Sequence, residues 1–430
     1  MNLLLITASS EKIKYIRKSR VIGFQQVTMP YLASLTPSSW TVYHVDEECE
    51  KIDYNIDVDL VGITFHTPSA NHAYSISEVF RKKGTPVVLG GPHTTLIPDE
   101  AQKHADSIVI GEADDIWTQL LDDFVRGELK KFYRQEKISS LENRPFSRKD
   151  LFHRRDMSNG ILVATRGCPN KCEFCSLSVM YSNVFRKRPV DDVAREYASF
   201  RGKVVIFWDD NITADLKYAK QLFKAITPYK KWWSSQASIH AGSDDELLEL
   251  AAKSGCKQLF IGIESVSQNS LNYVNKSFNR VDEYYKIINK IHSYGISVQV
   301  GIVFGFDHDN IDIFSQTMDF LESAGIQNAT FNILTPYPGT PLFHRLESEG
   351  RILTYDWDKY NGRTDVVFEP KNMSREQLLD GFNMVNKQFY SLKSITKRLV
   401  KSPAGLWWTL PLNMAYHLSY KLFKDKTTSE

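Results

Sequence analysis

Three of the five cysteines in this 430-residue chain fall within one short run, Cys168, Cys172 and Cys175, with the spacing C-x3-C-x2-C. Thiolates are the usual ligands of iron–sulfur clusters, and a cubic cluster of four irons usually takes four of them. The run supplies three, and the remaining cysteines, Cys49 and Cys256, lie far away in the sequence. One iron of such a cluster would therefore stay open to a ligand that is not protein.

Two simpler uses of these cysteines fit the spacing less well. A structural zinc site normally presents two separated ligand pairs, and no second pair of cysteines or histidines follows at a suitable distance. A disulfide framework would need even, dispersed cysteines in a secreted chain. The spacing therefore favours the iron–sulfur cluster.

The composition sets the context in which these residues work. A chain of 430 residues with 42% hydrophobic residues can bury a large core, and its length predicts two or three domains. The net charge of +2 gives no indication of a nucleic-acid partner. We expect neither a secretory signal, because the sequence turns polar after Ile6, nor a spanning segment, which needs about 20 apolar residues. A cytoplasmic, reducing location follows and suits an open cluster.

Residues 1–126 alternate short apolar runs with helical patterns, which is typical of an open, parallel, doubly wound sheet. The amphipathic segment 70–83, for example, ends at Gly84, a residue that often terminates a helix. The predicted strands are Leu3–Ile6, Thr41–Val45, Leu60–Phe65, Val87–Leu89 and Ile108–Ile110. Ligands bind such sheets at the carboxyl ends of the strands, where this chain has polar and glycine-rich loops.

Residues 127–157 are basic and poor in apolar positions, and we interpret them as a surface linker. From residue 158 to about 345 the alternation resumes six times, which predicts a parallel sheet curled into a partial (β/α)6 barrel. Its chemistry should again lie at the carboxyl ends of the strands. The predicted strands are Ile161–Thr165, Lys203–Trp208, Trp233–Ile239, Gln258–Ile263, Ser297–Phe304 and Ala329–Leu334. The helices between them carry capping signals, such as Ser243 with Glu246.

The run from Ala164 to Ser176 resembles the cluster loop of radical S-adenosylmethionine (SAM) enzymes. The resemblance implies a [4Fe-4S] cluster held by Cys168, Cys172 and Cys175, with the open iron binding the amino acid end of SAM. It implies SAM contacts for the aromatic ring beside the last cysteine and for residues at the ends of the second, third and fourth barrel strands. These candidates are Phe174, Asp209, Asp210, Asn211, Ser238, His240, Gly262 and Glu264. The family usually has Gly-Gly-Glu where this chain has Asp-Asp-Asn, which leaves open whether backbone carbonyls or side chains make the contact.

The loops of the first domain resemble those of the cobalamin-binding domain that precedes the cluster loop in the class B radical SAM methyltransferases. The resemblance implies that cobalamin contacts residues after the third, fourth and fifth strands. These candidates are His66, Thr67, Ser69, Gly90, Gly91, His93, Thr94, Gly111 and Glu112. The D-x-H-x-x-G run that supplies a cobalt-binding histidine is missing. The most similar run, residues 57–62, has Asp59 at the position of the histidine. Cobalamin should therefore bind without a nitrogen ligand from the protein. A degenerate domain that only packs on its neighbour is the alternative.

Residues 346–430 predict a mostly helical extension, in which Ser374 and Gln377 form a capping-box pattern. The tail from Lys393 to Lys426 mixes basic and aromatic residues, and it contains prolines, so it does not predict a spanning helix. Such a segment can lie in a membrane interface, or it can dock on its own barrel. We hypothesise peripheral membrane contact and a hydrophobic small-molecule substrate such as a lipid or a tetrapyrrole.

Together the resemblances imply a cobalamin-dependent radical SAM enzyme that methylates an unactivated carbon through a 5′-deoxyadenosyl radical and methylcobalamin. A reductant such as flavodoxin or ferredoxin would supply the electron, and Tyr337, after the sixth barrel strand, is a candidate on the substrate side. The alternatives are a cyclase or rearrangement catalyst of the same type and a non-catalytic cobalamin or iron–sulfur sensor. A methylthiotransferase acting on tRNA is disfavoured because its first domain should carry a second set of cysteines.

Overall fold

The computed structural model describes residues 1–10, 26–152, 160–402 and 404–427. Over these residues the chain forms two six-stranded parallel sheets and a helical C-terminal region, which confirms the predicted α/β class. The strands are β1 (Asn2–Thr7), β2 (Thr41–Asp46), β3 (Leu60–Thr64), β4 (Val87–Gly90), β5 (Ser107–Ile110), β6 (Phe132–Arg134), β7 (Ile161–Leu162), β8 (Thr165–Arg166), β9 (Arg186–Lys187), β10 (Val204–Phe207), β11 (Trp232–Ala237), β12 (Cys256–Glu264), β13 (Ser297–Phe304) and β14 (Asn328–Ile333).

The helices lie between the strands and beyond the last of them. They are α1 (Thr28–Leu35), α2 (Ala70–Lys82), α3 (Pro92–Leu96), α4 (Pro98–Ala101), α5 (Trp117–Val125), α6 (Ser176–Met180), α7 (Val190–Ser199), α8 (Leu216–Ile226), α9 (Asp245–Lys253), α10 (Gln268–Tyr273), α11 (Tyr284–Ser293), α12 (Asp312–Ser323), α13 (Pro341–Ser348), α14 (Arg375–Phe389), α15 (Leu392–Lys401) and α16 (Leu406–Thr427).

The first sheet has the strand order β2-β1-β3-β4-β5-β6, with α1 and α5 packed on one face and α2 on the other. Its order reverses between β1 and β3, and ligands bind open sheets at such a switch point. The strand β6 lies inside the segment 127–157 that the sequence predicts as a linker, and it pairs with β5 around a buried Tyr133. The linker prediction is therefore corrected over this strand. A three-residue strand among lysines is too short to show a period.

The second sheet has the order β14-β13-β12-β11-β10-β7, so all six predicted barrel strands are present. Alternate residues are buried beneath the helices, while their neighbours on the concave face stay partly open, as at Gln299 on β13 and Thr330 on β14. Pairing links each strand to the next but does not join β14 back to β7 among the described residues. The sheet is therefore a barrel with a lateral opening, and its lumen is partly polar.

Two local predictions have different outcomes. Ser374 and Gln377 form the predicted capping box at the start of α14, whereas α9 is capped by Asp244, one residue after the predicted Ser243. The boundaries drawn at residues 126, 157 and 345 remain predictions, and residues 11–25, 153–159, 403 and 428–430 of those segments lie outside the described residues.

The C-terminal helices are docked on the barrel. The buried Arg398 of α15 donates to the carbonyl oxygens of Ile326 (2.7 Å), Gln327 (2.8 Å) and Phe389 (2.7 Å). Asn413 of α16, also buried, donates to the Gln327 carbonyl at 2.9 Å. In the part of the chain that the structure describes, no helix combines the length and the apolar character that crossing a bilayer requires.

Candidate functional site

A cavity of about 760 Å³ lies where the carboxyl ends of the first sheet face the barrel. This volume is within the range of ligand pockets. Seven of the nine cobalamin candidates line the cavity: His66, Thr67, Ser69, Gly90, Gly91, Gly111 and Glu112. The fold therefore brings most of the predicted residues together at the carboxyl ends of the strands, as the sequence predicts.

His93 and Thr94 are fully buried and are not among the residues that line the cavity. The His93 ring packs against Trp357 and lies 3.2 Å (Nδ1) from the hydroxyl of Thr67 and 3.6 Å (Nε2) from Glu100. It can therefore orient Thr67, which does line the cavity, but it cannot face a ligand there itself. The sequence pattern placed His93 in the right loop and could not show that the loop turns into α3, which begins at Pro92.

The first strand contributes two residues that the sequence analysis did not single out. Thr7 and Ser9 follow one another around the end of β1, line the cavity, and are 8% and 3% exposed. Their hydroxyl oxygens are buried and have no hydrogen-bond partner within the described chain. A buried hydroxyl without a partner is unfavourable, so this wall is suited to a polar ligand such as cobalamin, whose periphery carries amides. The rule that ligands bind at strand ends applies to β1 and could have found them.

Gly91 directly follows β4 and lines the same cavity. Its φ is +95°, and a Cβ at this position would lie 2.4 Å from the Thr64 hydroxyl and 3.1 Å from the Phe65 backbone. Any side chain would therefore be strained and would also collide with the end of β3. Glycine lets the backbone come close to whatever occupies the cavity.

A buried group of charges joins the two domains beside the cavity. Arg166, directly before the cluster loop, donates to Glu112 at 2.8 Å and to Asp114 at 2.7 Å, and both carboxylates belong to the first domain. Arg186 on β9 pairs with Glu112 at 2.7 Å, and the Tyr31 hydroxyl donates to Asp114 at 2.5 Å. Burial alone would raise the pKa of Asp114 and Glu112, but the arginines hold both below their usual values. The cobalamin candidate Glu112 is therefore ionised and serves the domain contact.

The loop that carries the three cysteines is closed at its base by the antiparallel pair β8 and β9. Gly167, at the start of the loop, has a φ of +82°, and a Cβ there would lie 2.1 Å from the Val184 carbonyl. At the other side Glu173 is held by Arg345 of α13 through two contacts of 2.9 and 3.1 Å. Three contacts therefore fix the loop. Arg166 connects it to the first domain, the β8–β9 pair closes its base, and Arg345 holds Glu173.

The three thiols lie in one environment. Burial raises the pKa of the Cys172 thiol to about 12, an effect that Lys276 opposes and that the neighbouring Cys175 and Cys168 increase. Burial likewise raises the pKa of Cys175. Cysteine binds metal as the thiolate, so cluster binding would release the protons that burial retains on Cys172 and Cys175. Cys256, by contrast, is buried at the start of β12, away from the loop.

The described residues contain no group of three or more His, Cys, Asp or Glu side chains placed to hold a single metal ion. A cubic cluster does not need such a group, because each thiolate binds a different iron. Three thiols from one short loop, with Cys175 at the start of α6, therefore fit a cluster and do not fit a lone ion.

The SAM candidates surround the cysteine loop but mostly do not line the cavity. Asp209 is fully buried, and its carboxylate accepts from the backbone of Ala164 (3.2 Å) and Thr165 (2.5 Å) and from the Thr165 hydroxyl (2.6 Å). Burial raises the pKa of Asp209 to about 7, opposed by these donors. Asp210 lines the cavity and accepts from the Gly167 amide at 2.9 Å. The two carboxylates thus anchor the loop, so a ligand contact from this segment would come from its backbone or from Asp210.

The other SAM candidates lie at or near the ends of the barrel strands, each with its own contacts. The amide oxygen of Asn211 accepts from the Ser238 backbone at 3.1 Å, and Glu264 pairs with Lys276 at 2.7 Å. Glu264 has a φ of 61°, a conformation rarely adopted by glutamate, at a register shift of β12. The remaining three candidates lie nearby in different settings: Phe174 packs on Phe306, His240 is exposed near Phe278, and the Gly262 carbonyl accepts from Asn279.

The far wall of the cavity comes from the end of the barrel and the C-terminal region. It contains the predicted Tyr337 together with four residues that the sequence analysis did not identify. These are Asn332, Asn361, Arg363 and Tyr416. They belong to three separate segments, and nothing in the spacing of these segments shows that the fold gathers them.

The comparisons with known proteins agree with this architecture. Residues 162–321 match the family described as Radical SAM superfamily, residues 33–121 match the B12 binding domain, and residues 340–406 match a domain of unknown function (DUF4070). The chain is 34% identical to the bacteriochlorophyllide d C-12(1)-methyltransferase of Chlorobaculum tepidum, over 91% of this chain and 89% of that protein. It is 30% identical to the bacteriochlorophyllide d C-8(2)-methyltransferase of the same organism, over 91% and 90%.

A solved structure supports the fold. The cobalamin-dependent SAM radical enzyme OxsB, with aqua-cobalamin and SAM bound, matches 98% of this chain and 72% of its own length, with a TM-score of 0.71 at 13% identity. The chain belongs to the cobalamin-dependent radical SAM methyltransferases. It is an enzyme that methylates a small molecule and uses a [4Fe-4S] cluster, SAM and cobalamin. The predicted family, activity and cofactors are confirmed.

Proposed function

We propose that the protein methylates a carbon of a tetrapyrrole, and that its substrate enters the cavity between the cobalamin-binding domain and the barrel. The observation that carries the proposal is the composition of this cavity, whose walls come from four sources: the loops of the first sheet, helix α6 directly after the cysteines, the strand ends of the barrel, and the C-terminal region. A carbon held there lies between the two halves of the enzyme. The two relatives that act on bacteriochlorophyllide d cover nearly the whole chain, C-terminal region included, and this favours a related substrate.

We assign the three cysteines to the cluster and the polar loops of the first sheet to cobalamin. When bound, these groups and SAM supply the radical that removes a hydrogen atom from the substrate and the methyl group that replaces it. The protein's own residues position these groups and exclude competing reactions. Glu173 and Arg345 fix the cysteine loop, and Arg166 holds the two domains together. The buried hydroxyls of Thr7 and Ser9, which have no hydrogen-bond partner among the described residues, can bind polar groups of a ligand. An electron donor such as flavodoxin or ferredoxin would be required.

Labelled substrate tests this proposal directly. Anaerobically reconstituted protein is incubated with bacteriochlorophyllide d, methyl-labelled SAM, cobalamin and a flavodoxin reducing system, and the pigment is analysed by mass spectrometry. We expect one labelled methyl group on the pigment together with 5′-deoxyadenosine. The Cys172→Ala variant should form neither, and Cys256→Ala, which alters a cysteine away from the loop, should keep both.

The same experiment separates methylation from the rival chemistry. A ring-closing or rearranging enzyme would yield a pigment product without the label, which would contradict methyl transfer. Unchanged pigment with continued 5′-deoxyadenosine formation would remove the tetrapyrrole and leave the radical chemistry in place.

We further propose that α15 and α16 rest on an anionic membrane, which would bring a hydrophobic substrate to the enzyme. On the outer face of α16 Trp407 is 59% exposed and Leu410 is 42% exposed, and the lysines at 393, 397 and 401 of α15 are also exposed. Aromatic and apolar side chains beside lysines suit an interfacial position. Deleting the tail would be a poor test, since Arg398 and Asn413 are buried in the barrel.

Surface substitution is the sharper test of membrane contact. The Trp407→Ser/Leu410→Ser variant should pellet less than the unaltered protein with anionic liposomes, and pelleting of the unaltered protein should weaken with salt. Val125→Ser, at an equally exposed position on α5 in the first domain, should behave as the unaltered protein does. Equal pelleting of all three proteins, or none, would return α16 to a purely structural role.

A further inference from the structure

The far wall of the cavity carries a positive charge, that of Arg363, which has no ion pair with any residue that the structure describes. We propose that Arg363 holds an anionic group of the substrate, a carboxylate or a phosphate, and so selects acidic substrates. This inference rests on the proposed function of the cavity and extends it to the chemical class of the substrate. It concerns a residue outside the cysteine loop, outside the cobalamin candidates and outside the SAM candidates at the strand ends of the barrel.

Hydrogen bonds fix the backbone that carries Arg363, while its side chain has no such contact within the described part of the chain. The Gly362 carbonyl accepts from the Ile333 amide at 2.7 Å, which holds this segment against the open edge of β14. The Asn361 side chain accepts from the amides of Arg363 and Thr364, both at 2.9 Å, and donates to Asp365 at 3.0 Å. The segment is therefore a rigid turn that presents the Arg363 side chain at the lateral opening of the barrel.

Charge pairing distinguishes Arg363 from the other arginines that line the cavity. Arg166 pairs with Glu112 and Asp114, Arg144 with Asp115, and Arg188 with Glu196. Arg363 is half-buried, yet its guanidinium has no ion pair and no hydrogen bond to any residue that the structure describes. A partly buried cation without a counter-charge is unfavourable, and an anionic ligand would offset that cost.

The surroundings of Arg363 suit a large ligand with one charged end. The ring of Tyr416 lies nearby: burial raises the pKa of Tyr416, and the charge of Arg363 opposes that effect. Asn332 on β14 faces the same space, and its side-chain amide has no hydrogen bond to the rest of the described chain. An arginine fork, an amide and a tyrosine around one opening can bind an anionic group and leave the apolar body of the ligand inside.

Substrate pairs that differ only in charge test the assignment. The probes are bacteriochlorophyllide d, which carries a free propionate carboxylate, and its methyl ester. With the unaltered enzyme we expect methyl transfer to the acid at a KM about 10- to 100-fold below that for the ester, from the loss of a charge-assisted contact. Arg363→Ala should raise the KM of the acid to that of the ester, and Arg363→Lys should recover part of the difference. Arg280→Ala, which removes an exposed arginine paired with Asp282, should change neither KM.

The cofactors provide an internal control. Arg363→Ala should retain cobalamin and should form 5′-deoxyadenosine as the unaltered enzyme does. Loss of either would mean that Arg363 holds a cofactor and would overturn the assignment. Equal KM values for acid and ester in the unaltered enzyme would overturn it as well.

A second experiment does not depend on the tetrapyrrole. Phenylglyoxal modifies accessible arginines, and its reaction at Arg363 can be followed by peptide mass spectrometry in the presence of octanoate, octyl phosphate or octanol. Protection by octanoate alone indicates a carboxylate site, protection by octyl phosphate alone a phosphate site, and the neutral octanol should not protect. If neither anion protects, the anion site is refuted. If the pigment is not methylated but an anion does protect, the tetrapyrrole fails and the site stands.

Discussion

The domain contact at Arg166 offers a quantitative test of how this enzyme is held together. Replacing Arg166 with Met keeps most of the side-chain volume but removes the partner of two buried carboxylates, Glu112 and Asp114. Breaking a buried ion pair from one side costs about 3–5 kcal/mol because the remaining charge is uncompensated. Glu112 would still be paired with Arg186, and Asp114 would still accept from Tyr31. We therefore expect the lower end, about 3 kcal/mol.

Hydrogen exchange measures this loss where it occurs. Amide protection reports the free energy of local opening, and about 3 kcal/mol corresponds to a roughly 150-fold faster exchange. The effect should concentrate in peptides that contain residues 111–115 and 165–167, on the two sides of the contact. Adding Asp114→Asn should restore part of the protection, because it removes the uncompensated charge.

An exposed arginine provides the matched control. Arg148 pairs with Asp150 on the surface, and such pairs contribute less than about 1 kcal/mol. Arg148→Met should therefore change exchange by no more than about fivefold. If Arg166→Met resembled Arg148→Met in the same peptides, the charges would not join the domains and our reasoning would fail.

Three further predictions follow from single contacts. Gly91→Ala should weaken cobalamin retention by about tenfold or more, because the new Cβ would lie 2.4 Å from the Thr64 hydroxyl. Gly84→Ala has a similar φ but open space around it, and it should leave cobalamin retention unchanged. Equal retention of cobalamin by the two variants would contradict this reasoning. Arg345→Met should lower the iron content after reconstitution, measured against protein, since Glu173 loses the arginine that holds the cysteine loop; full iron content would refute the role. Burial alone would raise the pKa of Asp307, but its arginine partners lower this pKa to about 2. Ionised Asp307 therefore stabilises the folded protein above about pH 4, and this contribution is lost as the pH falls from about 4 to 2. Urea unfolding of the metal-free protein should show this loss of roughly 1–2 kcal/mol, and Asp307→Asn should remove it; the same acid dependence in the variant would rule out Asp307 as its source.

The sequence was most informative where chemistry and periodicity are local. The cysteine spacing lies within one loop, and each barrel strand was predicted to within two residues of its bounds, or three for the first strand, because each buries alternate residues beneath a helix. The prediction for Asp209 and Asp210 was only half informative. The pattern placed them after the second strand, but only the structure shows that Asp209 accepts from Thr165 and that Asp210 accepts from Gly167.

Contacts between distant segments could not be predicted in this way. Glu173 and Arg345 are 172 residues apart, and no periodicity connects them. The buried hydroxyls at Thr7 and Ser9 were accessible in principle, since β1 ends at the same edge as β3, β4 and β5. His93 shows the opposite limit: its loop was predicted correctly, but the direction of its side chain depends on the turn into α3 and on Trp357, which is far away in the sequence.

The two sides of the cavity differ in how their charges are satisfied, and this difference bears on function. On the side of the cysteines and the first sheet, Arg166 and Arg186 are neutralised by Glu112 and Asp114, so that wall is closed and its geometry is fixed before any substrate arrives. On the C-terminal side Arg363 remains without a counter-charge among the described residues, on a turn whose backbone is equally fixed. A rigid wall positions cofactors, whereas an unpaired charge on a rigid turn can discriminate between ligands without moving. Selection of the substrate in this enzyme should therefore reside in the segment from Asn361 to Arg363 and in α16. Exchanging these C-terminal elements between relatives should change which substrate is methylated without changing SAM cleavage.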